Sequence, residues 1–368
     1  MTAMTVLSAD KVITPGGVLE PGWVRIGGGR VAAVEAGVPD RSDRHGAVIV
    51  PGFVDIHCHG GGGASFDSAD AGECARAAGF HRERGTTTLV ASLVTAAPGD
   101  LERRAAVLSE LAADGVVAGI HYEGPFLSAA RKGAHDPALL RDPEPAMVDR
   151  LLCVPHVRMM TIAPELDGGL DALRRVRDAG AIAAVGHTDA TYEVTREAVG
   201  AGARVATHLF NGMRPLHHRE PGPILALLDA PDVVVELIGD GVHLHPAIVA
   251  HIARAKGFSG ATLVTDAIAA AGMSDGAYEL GGLDVQVRDG VARLSDGGSI
   301  AGSTATAASV FRRAVRASGL GLAEAVRLAS TTPAALLGLD DRGAIAPGLR
   351  ADLLILDEDL NVREVVTA

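Results

Sequence analysis

Eight short apolar segments recur between Phe53 and Asp266, and stretches with helical character separate most of them. Strands that alternate with helices form parallel sheets, because each crossover returns the chain to the same end of the sheet. Eight such units are the number that closes a (β/α)8 barrel. Strands are predicted at Phe53–His59, Thr87–Leu93, Val116–Glu123, Val157–Ile162, Ile182–His187, Val205–Leu209, Val233–Ile238 and Leu263–Asp266. Helices are predicted at Ala69–Arg84, Gly99–Ala113, Ala146–Leu152, Leu170–Ala179, Thr191–Val199, Ile224–Leu228, Pro246–Ala255, Thr304–Ser318 and Leu322–Ser330.

Both ends of the chain depart from this alternation and contain short β-like pieces joined by turns. Each end is too short to fold alone, so the two ends are predicted to combine into one domain. The pieces lie at Lys11–Thr14, Trp23–Ile26, Arg30–Val34, Ala344–Ile345 and Asp352–Asp357. The predicted fold class is α/β, with a TIM-like barrel over residues 51–342 and a small β-sandwich domain from residues 1–50 and 343–368.

Two long inserts follow predicted strand ends, Gly124 to Pro145 and Ala267 to Gly302. The second contains strand-like runs at Leu283–Arg288 and Val291–Leu294, around an Asp289-Gly290 turn. Barrels build their active sites from loops at this end, so both inserts are expected near a site.

Composition excludes several classes of protein. The 368 residues have a net charge of −12, and their arginines are dispersed, which argues against a nucleic-acid or anionic-membrane partner. We find no apolar run of membrane-spanning length and no secretory signal at the N-terminus, so a soluble cytoplasmic protein is expected. Three scattered cysteines are too few for a disulfide framework.

The segment Pro51–Gly60 carries His57 and His59 within an apolar strand pattern. Side chains at i and i+2 share one face of a strand, so both imidazoles project the same way. The glycines that follow leave open space beside the two rings, as a metal with a free coordination position needs. One polar residue at a strand end would be an ordinary cap. For this pair we favour a metal site, because further residues of ligand type follow.

Those further residues stand at the C-terminal ends of other predicted strands: Glu123, His187, His208 and Asp266. A barrel gathers these ends around one mouth, so residues far apart in sequence are expected to converge. Imidazoles with a carboxylate suit Zn²⁺ or a similar divalent ion with water in the open position, and such an ion supplies hydroxide near neutral pH. Asp266 could then act as general acid and base. The sequence has no serine-hydrolase elbow, H-E-x-x-H motif or P-loop, so no other hydrolase mechanism is supported.

The pattern resembles the amidohydrolase superfamily in His57-Cys58-His59, in His187, His208 and Asp266, and in the tail segment 343–353. More narrowly, six motifs resemble the N-acetylglucosamine-6-phosphate deacetylase family. They are segments 121–127, 132–135, 186–189, 207–211, 240–243 and 263–267. The resemblance implies hydrolysis of N-acetyl-D-glucosamine 6-phosphate to glucosamine 6-phosphate and acetate by metal-bound hydroxide, in amino-sugar catabolism or recycling.

The resemblance also implies roles for individual residues. Glu123, His187 and His208 match metal ligands and Asp266 matches the acid/base, while His135 and His243 match histidines that contact substrate. Asn211, Gly212 and Arg219 match phosphate contacts, and Ala134, Ile300, Ala301 and Gly302 are expected to line the sugar pocket. In the family the arginine reaches across from a neighbouring subunit, which implies a homodimer or tetramer.

Several alternatives stay open at this stage. Some family members lack the first-strand histidine pair, whereas His57 and His59 permit a second divalent ion here, with Glu123 as a bridging ligand. One or two metal ions per subunit, expected to be Zn²⁺, are therefore possible. Other candidates are a deacetylase of N-acetylgalactosamine 6-phosphate, a deaminase or cyclic-amide hydrolase, and a barrel that serves only as a non-catalytic scaffold.

Overall fold

A computed structural model describes residues 4–296 and 298–368. Its centre is a parallel sheet of eight strands that follow one another in sequence order. The barrel strands, from first to eighth, are Phe53–Cys58, Thr86–Val94, Gly119–Glu123, Val157–Ile162, Ile182–Val185, Ala203–Ala206, Val234–Ile238 and Ala261–Val264. All eight predicted strands are confirmed. The eighth strand meets the first just beyond its end, where the Asp266 N–H donates to the His57 carbonyl at 2.9 Å.

Helices cover the outside of this barrel at each of the nine predicted places. The α-helices are Ala71–Arg82, Pro98–Ala113, Pro145–Leu152, Gly169–Asp178, Tyr192–Ala201, Gly222–Asp229, Pro246–Lys256, Ala307–Arg316, Leu322–Val326 and Thr332–Leu336. The last two are joined by a π-helical turn, Arg327–Thr331, within and beyond the last predicted helix. Proline in the first turn begins several of these helices, because its missing N–H costs no hydrogen bond there. None of the described helices is long and apolar enough to cross a membrane.

Strands from both chain ends form one separate seven-stranded sheet, as predicted. Its strands are Thr5–Thr14, Gly17–Leu19, Gly22–Gly27, Arg30–Ala36, Arg44–Pro51, Leu353–Leu356 and Val362–Val366. Arg44–Pro51 pairs antiparallel with Leu353–Leu356 and so joins the two ends. One face of the sheet has its own core, and the other, including Val50 and Leu354, packs on the barrel. The predicted domain limits at residues 50/51 and 342/343 stay a prediction.

Sequence patterns missed some strands of the terminal sheet and placed one wrongly. Gly17–Leu19, Arg44–Pro51 and Val362–Val366 were not predicted, because pairing with distant strands, not local alternation, makes them β-structure. The predicted piece Ala344–Ile345 is wrong, since both residues lie in a loop. Ile345 is nevertheless buried in the core of this sheet, which explains its apolar character.

The insert after the eighth strand folds into a three-stranded antiparallel sheet, Gly276–Leu280, Leu283–Arg288 and Val291–Leu294. The two predicted runs are confirmed, and Gly276–Leu280 was missed. Leu280 packs with Val94 at the end of the second barrel strand, so the insert lies against the barrel mouth. The insert after the third strand contains two short 3₁₀ turns, Ala129–Arg131 and Pro137–Leu139.

Candidate active site

A cavity of about 250 Å³ opens at the C-terminal mouth of the barrel. Most of the predicted site residues line it. They are His59, Glu123, Ala134, His135, His187, His208, Asn211, Gly212, His243, Asp266, Ile300 and Gly302. Val94, Gly133, Leu280 and Ser299 complete the wall and were not predicted. Strand ends and the two inserts therefore converge on one site.

Three predicted residues do not line the cavity. His57 lies fully buried behind His59, with 3.2 Å between their Nε2 atoms. Ala301 is buried in the core of the insert. Arg219 lies on an exposed loop, where its Nη1 is 2.8 Å from His218 Nε2. Ala301 and Arg219 are therefore not part of the cavity wall of their own subunit; the predicted contact of Arg219 is with the pocket of a neighbouring subunit, and both contacts stay predictions.

The carboxylate of Glu123 stands between two pairs of imidazoles. Its Oε1 is 2.8 Å from His208 Nε2 and 3.1 Å from His187 Nε2, and its Oε2 is 3.1 Å from His59 Nε2. His57 Nε2 lies 3.6 Å from Oε1. Oε1 thus faces His187, His208 and His57, and Oε2 faces His59, so the carboxylate contacts imidazoles of both candidate ligand sets, as a bridging ligand would.

The spacing of these donor atoms fits a divalent ion. The Nε2 atoms of His187 and His208 are 3.1 Å apart. Two nitrogens on one tetrahedral ion, each at about 2.0–2.1 Å from it, are separated by roughly 3.3 Å. One candidate group of ligands is His57, His59 and Glu123, and a second contains Glu123, His135 and His187.

The outer ring nitrogens of three histidines are fixed by hydrogen bonds. His59 Nδ1 donates to the Ser92 carbonyl at 3.1 Å and His187 Nδ1 to the Arg131 carbonyl at 2.8 Å. His57 Nδ1 donates to Glu236 at 3.0 Å. A carbonyl can only accept, so Nδ1 of His59 and of His187 carries a proton, and Nε2 is the nitrogen that a metal ion would bind. Such partners orient metal-ligating histidines in general.

Electrostatics also favour a bound cation. Glu123, Glu236 and Asp266 are buried, and their only ion-pair partners among the described residues are histidines. Burial alone would lower the pKa of His59, but hydrogen bonds from its ring to Asp266 and Glu123 raise that pKa to about 9. The pKa of His57 is likewise raised, against burial, by Glu236, Glu123 and Asp266. Protonation of these two rings balances the negative charge of the buried carboxylates, which a bound divalent ion would neutralise instead.

Asp266 lies where the eighth strand meets the first. Its Oδ1 is 3.4 Å from His59 Nε2 and 3.6 Å from His57 Nε2. Burial would raise its pKa, but His57 and His59 lower it well below the ordinary value. The ionised carboxylate therefore faces both the candidate metal ligands and the cavity, as a proton acceptor should.

Three site residues have left-handed backbone: His187 with φ 46°, His208 with φ 28° and Asp266 with φ 49°. Residues other than glycine rarely adopt such angles, and when they do they cluster at functional sites. Each of the three is the second residue after the end of a barrel strand, and its side chain lines the mouth. A Cβ at Gly212 would come within 2.7 Å of His187 Nδ1, so this glycine lets the backbone pack on the ring.

His135 presents a proton donor to the cavity. The Thr95 backbone N–H, which can only donate, lies 3.4 Å from His135 Nδ1. Nδ1 is therefore the acceptor, and the proton is on Nε2, 3.5 Å from Glu123 Oε2. Burial, with His187 nearby, lowers the pKa of His135 to about 4. His135 is thus neutral and suits a role as hydrogen-bond donor better than a role as metal ligand.

His243 is held by a neighbouring carboxylate. Its Nδ1 donates to Asp240 Oδ2 at 2.8 Å, and the other Asp240 oxygen accepts from the backbone N–H groups of Val242 and His243. Burial lowers the pKa of His243, but the bond to Asp240 raises it overall. Nε2 is left free as a donor to a bound ligand.

Sequence reasoning missed the residues that hold the site residues in place. They are Ser92, Thr95, Arg131, Glu236 and Asp240. Glu236 carried a detectable signal, because it is the one charged residue within the predicted strand Val233–Ile238. Ser92 and Arg131 carried none, since they act through backbone carbonyls that every residue has.

The chain is similar to known proteins over nearly its whole length. The model of the amidohydrolase family matches residues 48–368. An N-acetyl-D-glucosamine-6-phosphate deacetylase from Mycobacterium smegmatis, solved as an aspartate-to-alanine variant with N-acetyl-D-glucosamine 6-phosphate, is 52% identical. The match covers 99% of this chain and 98% of that one, with a TM-score of 0.96.

Two relatives identified by sequence are both deacetylases, but they are named for different amino-sugar phosphates. An N-acetylgalactosamine-6-phosphate deacetylase from Escherichia coli O157:H7 is 36% identical over 98% of this chain and 97% of its own length. An N-acetylglucosamine-6-phosphate deacetylase from Lysinibacillus sphaericus is 35% identical over 89% and 86%. On these grounds the chain belongs to the amidohydrolase family, among its deacetylases of N-acetylated amino-sugar 6-phosphates.

Proposed function

We propose that this enzyme hydrolyses the acetamide of N-acetyl-D-glucosamine 6-phosphate to acetate and glucosamine 6-phosphate. The observation that carries the proposal is the grouping of Glu123, His135, His187, His208 and Asp266 around one cavity at the barrel mouth. Full-length similarity to a deacetylase solved with this sugar phosphate supports the substrate.

We propose Glu123, His187 and His208 as ligands of one divalent ion and His57 and His59, with Glu123, as ligands of a second. Imidazole and carboxylate donors suit Zn²⁺, which is our proposal for the metal. An ion held there would supply Lewis acidity and a nucleophilic water at neutral pH. The chain itself fixes the ligand rings and excludes bulk water, since all five residues are buried.

The other residues act on protons and on substrate. Asp266 takes the proton from the attacking water and delivers it to the departing amine. The Nε2–H of His135 donates to the acetyl carbonyl oxygen, where negative charge develops. His243, oriented by Asp240, donates to a sugar hydroxyl. Ala134, Ile300 and Gly302 form the walls around the sugar, and buried Ala301 supports that wall from behind.

The phosphate site needs a residue from a second subunit in this proposal. Asn211 and the backbone of Gly212 line the cavity, but its wall contains no lysine or arginine among the residues that the structure describes. Arg219 lies on an exposed loop and is not part of that wall in its own subunit. We propose that it enters the neighbouring active site of a homodimer or tetramer, where its planar guanidinium binds phosphate.

The galactosamine epimer is the second candidate substrate, because the E. coli relative is named for it. The epimers differ in one hydroxyl, and a site built to bond one hydroxyl orientation discriminates by kcat/KM. We expect the higher kcat/KM for the glucosamine epimer; the reverse ranking would assign the enzyme to galactosamine metabolism. We further propose a cytoplasmic location, consistent with three unpaired cysteines.

The first test is acetate release by metal-stripped enzyme as Zn²⁺ is added back. We expect no release without metal and full activity at one or two equivalents per chain. Saturation at one equivalent would assign catalysis to the Glu123, His187 and His208 site, and saturation at two would include His57 and His59. Absence of acetate release at every loading would contradict the proposed function and leave a deaminase, a cyclic amidase or a non-catalytic barrel.

A further inference from the structure

One carboxylate inside the barrel has no role in the reaction as described above. Glu236 belongs to the seventh barrel strand, Val234–Ile238, and its side chain has no exposed surface. Moving an ionised carboxylate out of water is costly unless strong partners compensate for it. Glu236 lies among apolar strand residues, so its hydrogen-bond partners must compensate for the cost of burying the carboxylate.

Those contacts join the two candidate metal-ligand sets. Glu236 Oε2 accepts from His57 Nδ1 at 3.0 Å and also from the backbone N–H of His208 at 3.0 Å. The backbone carbonyl of Glu236 accepts from the N–H of Leu209 at 2.9 Å. Glu236 thus fixes the ring of His57 and, through two bonds, the turn at His208, where the backbone is left-handed.

We propose that Glu236 is a positioning residue that couples the two metal-binding sites, holding the His57 tautomer and the His208 turn through one oxygen. The inference rests on the proposed metal sites. A carboxylate on Nδ1 keeps the proton there, directs the Nε2 lone pair toward Glu123, and makes that nitrogen a stronger donor. Backbone support at His208 keeps its Nε2 beside Glu123.

Glu236→Gln separates these two effects. The amide oxygen of glutamine is able to accept from the His208 N–H, but a neutral amide raises the basicity of His57 much less than a carboxylate does. Loss of such a partner typically lowers metal affinity about 10–100-fold. We expect this loss for one Zn²⁺ equivalent, the one that His57 would bind, with little change in the affinity for the other.

The control is Asp67→Asn. Asp67 is another buried carboxylate close to the mouth, but it accepts from the Val94 N–H at 3.1 Å and its nearest ion-pair partner is Arg104, not a candidate ligand. Each substitution removes one negative charge, so a general effect of lost charge would lower the Zn²⁺ affinity of both variants. An effect that depends on the hydrogen bond between Glu236 and His57 would appear only in Glu236→Gln.

The experiment measures Zn²⁺ binding by metal-stripped, full-length protein in chelator competition, without any assay of activity. Selective weakening in Glu236→Gln supports the proposal. Equal affinity in wild type and Glu236→Gln, or equal weakening in Asp67→Asn, overturns it. A wild type that binds no Zn²⁺ overturns the proposed metal sites as well, so the two failures are distinguishable.

A second measurement covers the case in which Glu236→Gln does not fold. In ¹⁵N-resolved spectra of the histidine rings of wild-type protein loaded with Zn²⁺, we expect His57 to carry its proton on Nδ1. Its signal is identified by its loss in His57→Gln. A proton on Nε2 of His57 would overturn the assignment of Glu236, whatever the stability of the variant.

Discussion

At the scale of single residues, the site depends on three side chains whose backbone is left-handed: His187, His208 and Asp266. Each is the second residue after the end of a barrel strand, where the unusual φ accompanies a turn of the side chain into the mouth. Local sequence predicts that these residues end strands, but the left-handed geometry is held by contacts from elsewhere in the fold, such as Glu236 on the turn at His208.

Asp266→Asn should abolish most of the activity and leave metal binding intact. Asparagine tolerates left-handed backbone better than other residues, so the fold should survive the change. An amide takes no proton from water, and loss of general acid/base catalysis costs about 10²–10⁴-fold in kcat. The measurement is kcat for acetate release together with Zn²⁺ content. A variant with near-normal kcat would show that another group transfers the proton.

At the scale of elements, the joint between the first and eighth barrel strands decides where Asp266 points. Thr265 Oγ1 donates to Asp55 Oδ2 at 2.6 Å, and the Thr265 N–H donates to the other Asp55 oxygen at 3.3 Å. Burial raises the pKa of Asp55 to about 6, although the bonds from Thr265 oppose the rise. This pair joins the first and eighth strands next to Asp266, the proposed acid/base.

Thr265→Val should destabilise the protein by about 1–3 kcal/mol, because it leaves the buried Asp55 carboxylate short of a donor. Thr86→Val is the matched control. Thr86 is also buried in the barrel, but its hydroxyl has no partner among the described residues, so replacement with a methyl should be neutral or stabilising. Urea unfolding midpoints compare the two variants. Equal midpoints would mean that the Asp55–Thr265 pair does not hold the joint.

The elements also show the limits of sequence reading. The eight strands and nine helices were predictable because each shows its own periodicity. Gly276–Leu280 and Arg44–Pro51 were not, because each becomes a strand by pairing with residues that local patterns do not identify. Ala344–Ile345 shows the opposite error, since apolar residues in a buried loop resemble a strand.

For the assembled enzyme, the proposed function requires a cation for the phosphate that one subunit's described cavity wall does not provide. Arg219 is exposed in one subunit, and the described cavity wall carries no lysine or arginine. In a closed dimer the same loop from each subunit would face the site of the other. An active site completed in this way would require assembly for efficient catalysis.

Mixed dimers test this sharing of residues. We expect heterodimers of one Asp266→Asn chain and one Arg219→Ala chain, isolated by two affinity tags, to show about half of wild-type activity, since one of the two sites is intact. Either homodimeric variant alone should be nearly inactive at low substrate concentration.

One control accompanies this test. Arg219→Ala should raise KM for the phosphorylated sugar far more than for N-acetylglucosamine, because only the phosphate loses its partner. If heterodimers stay inactive while Arg219→Ala weakens phosphate binding, Arg219 serves its own subunit. Equal effects on both sugars would remove the phosphate role.

The amino-acid sequence predicted the barrel, the combination of both termini into one β domain, and the candidate ligands His57, His59, Glu123, His187 and His208. It could do so because strand and helix periods are local, and because a barrel sends all strand ends to one mouth. The fold was needed to show which oxygen of Glu123 faces which imidazole, that Glu236 joins His57 to His208, and that Arg219 does not line the cavity of its own subunit. Those relations depend on distances of a few ångströms between residues far apart in the chain, which no local pattern encodes.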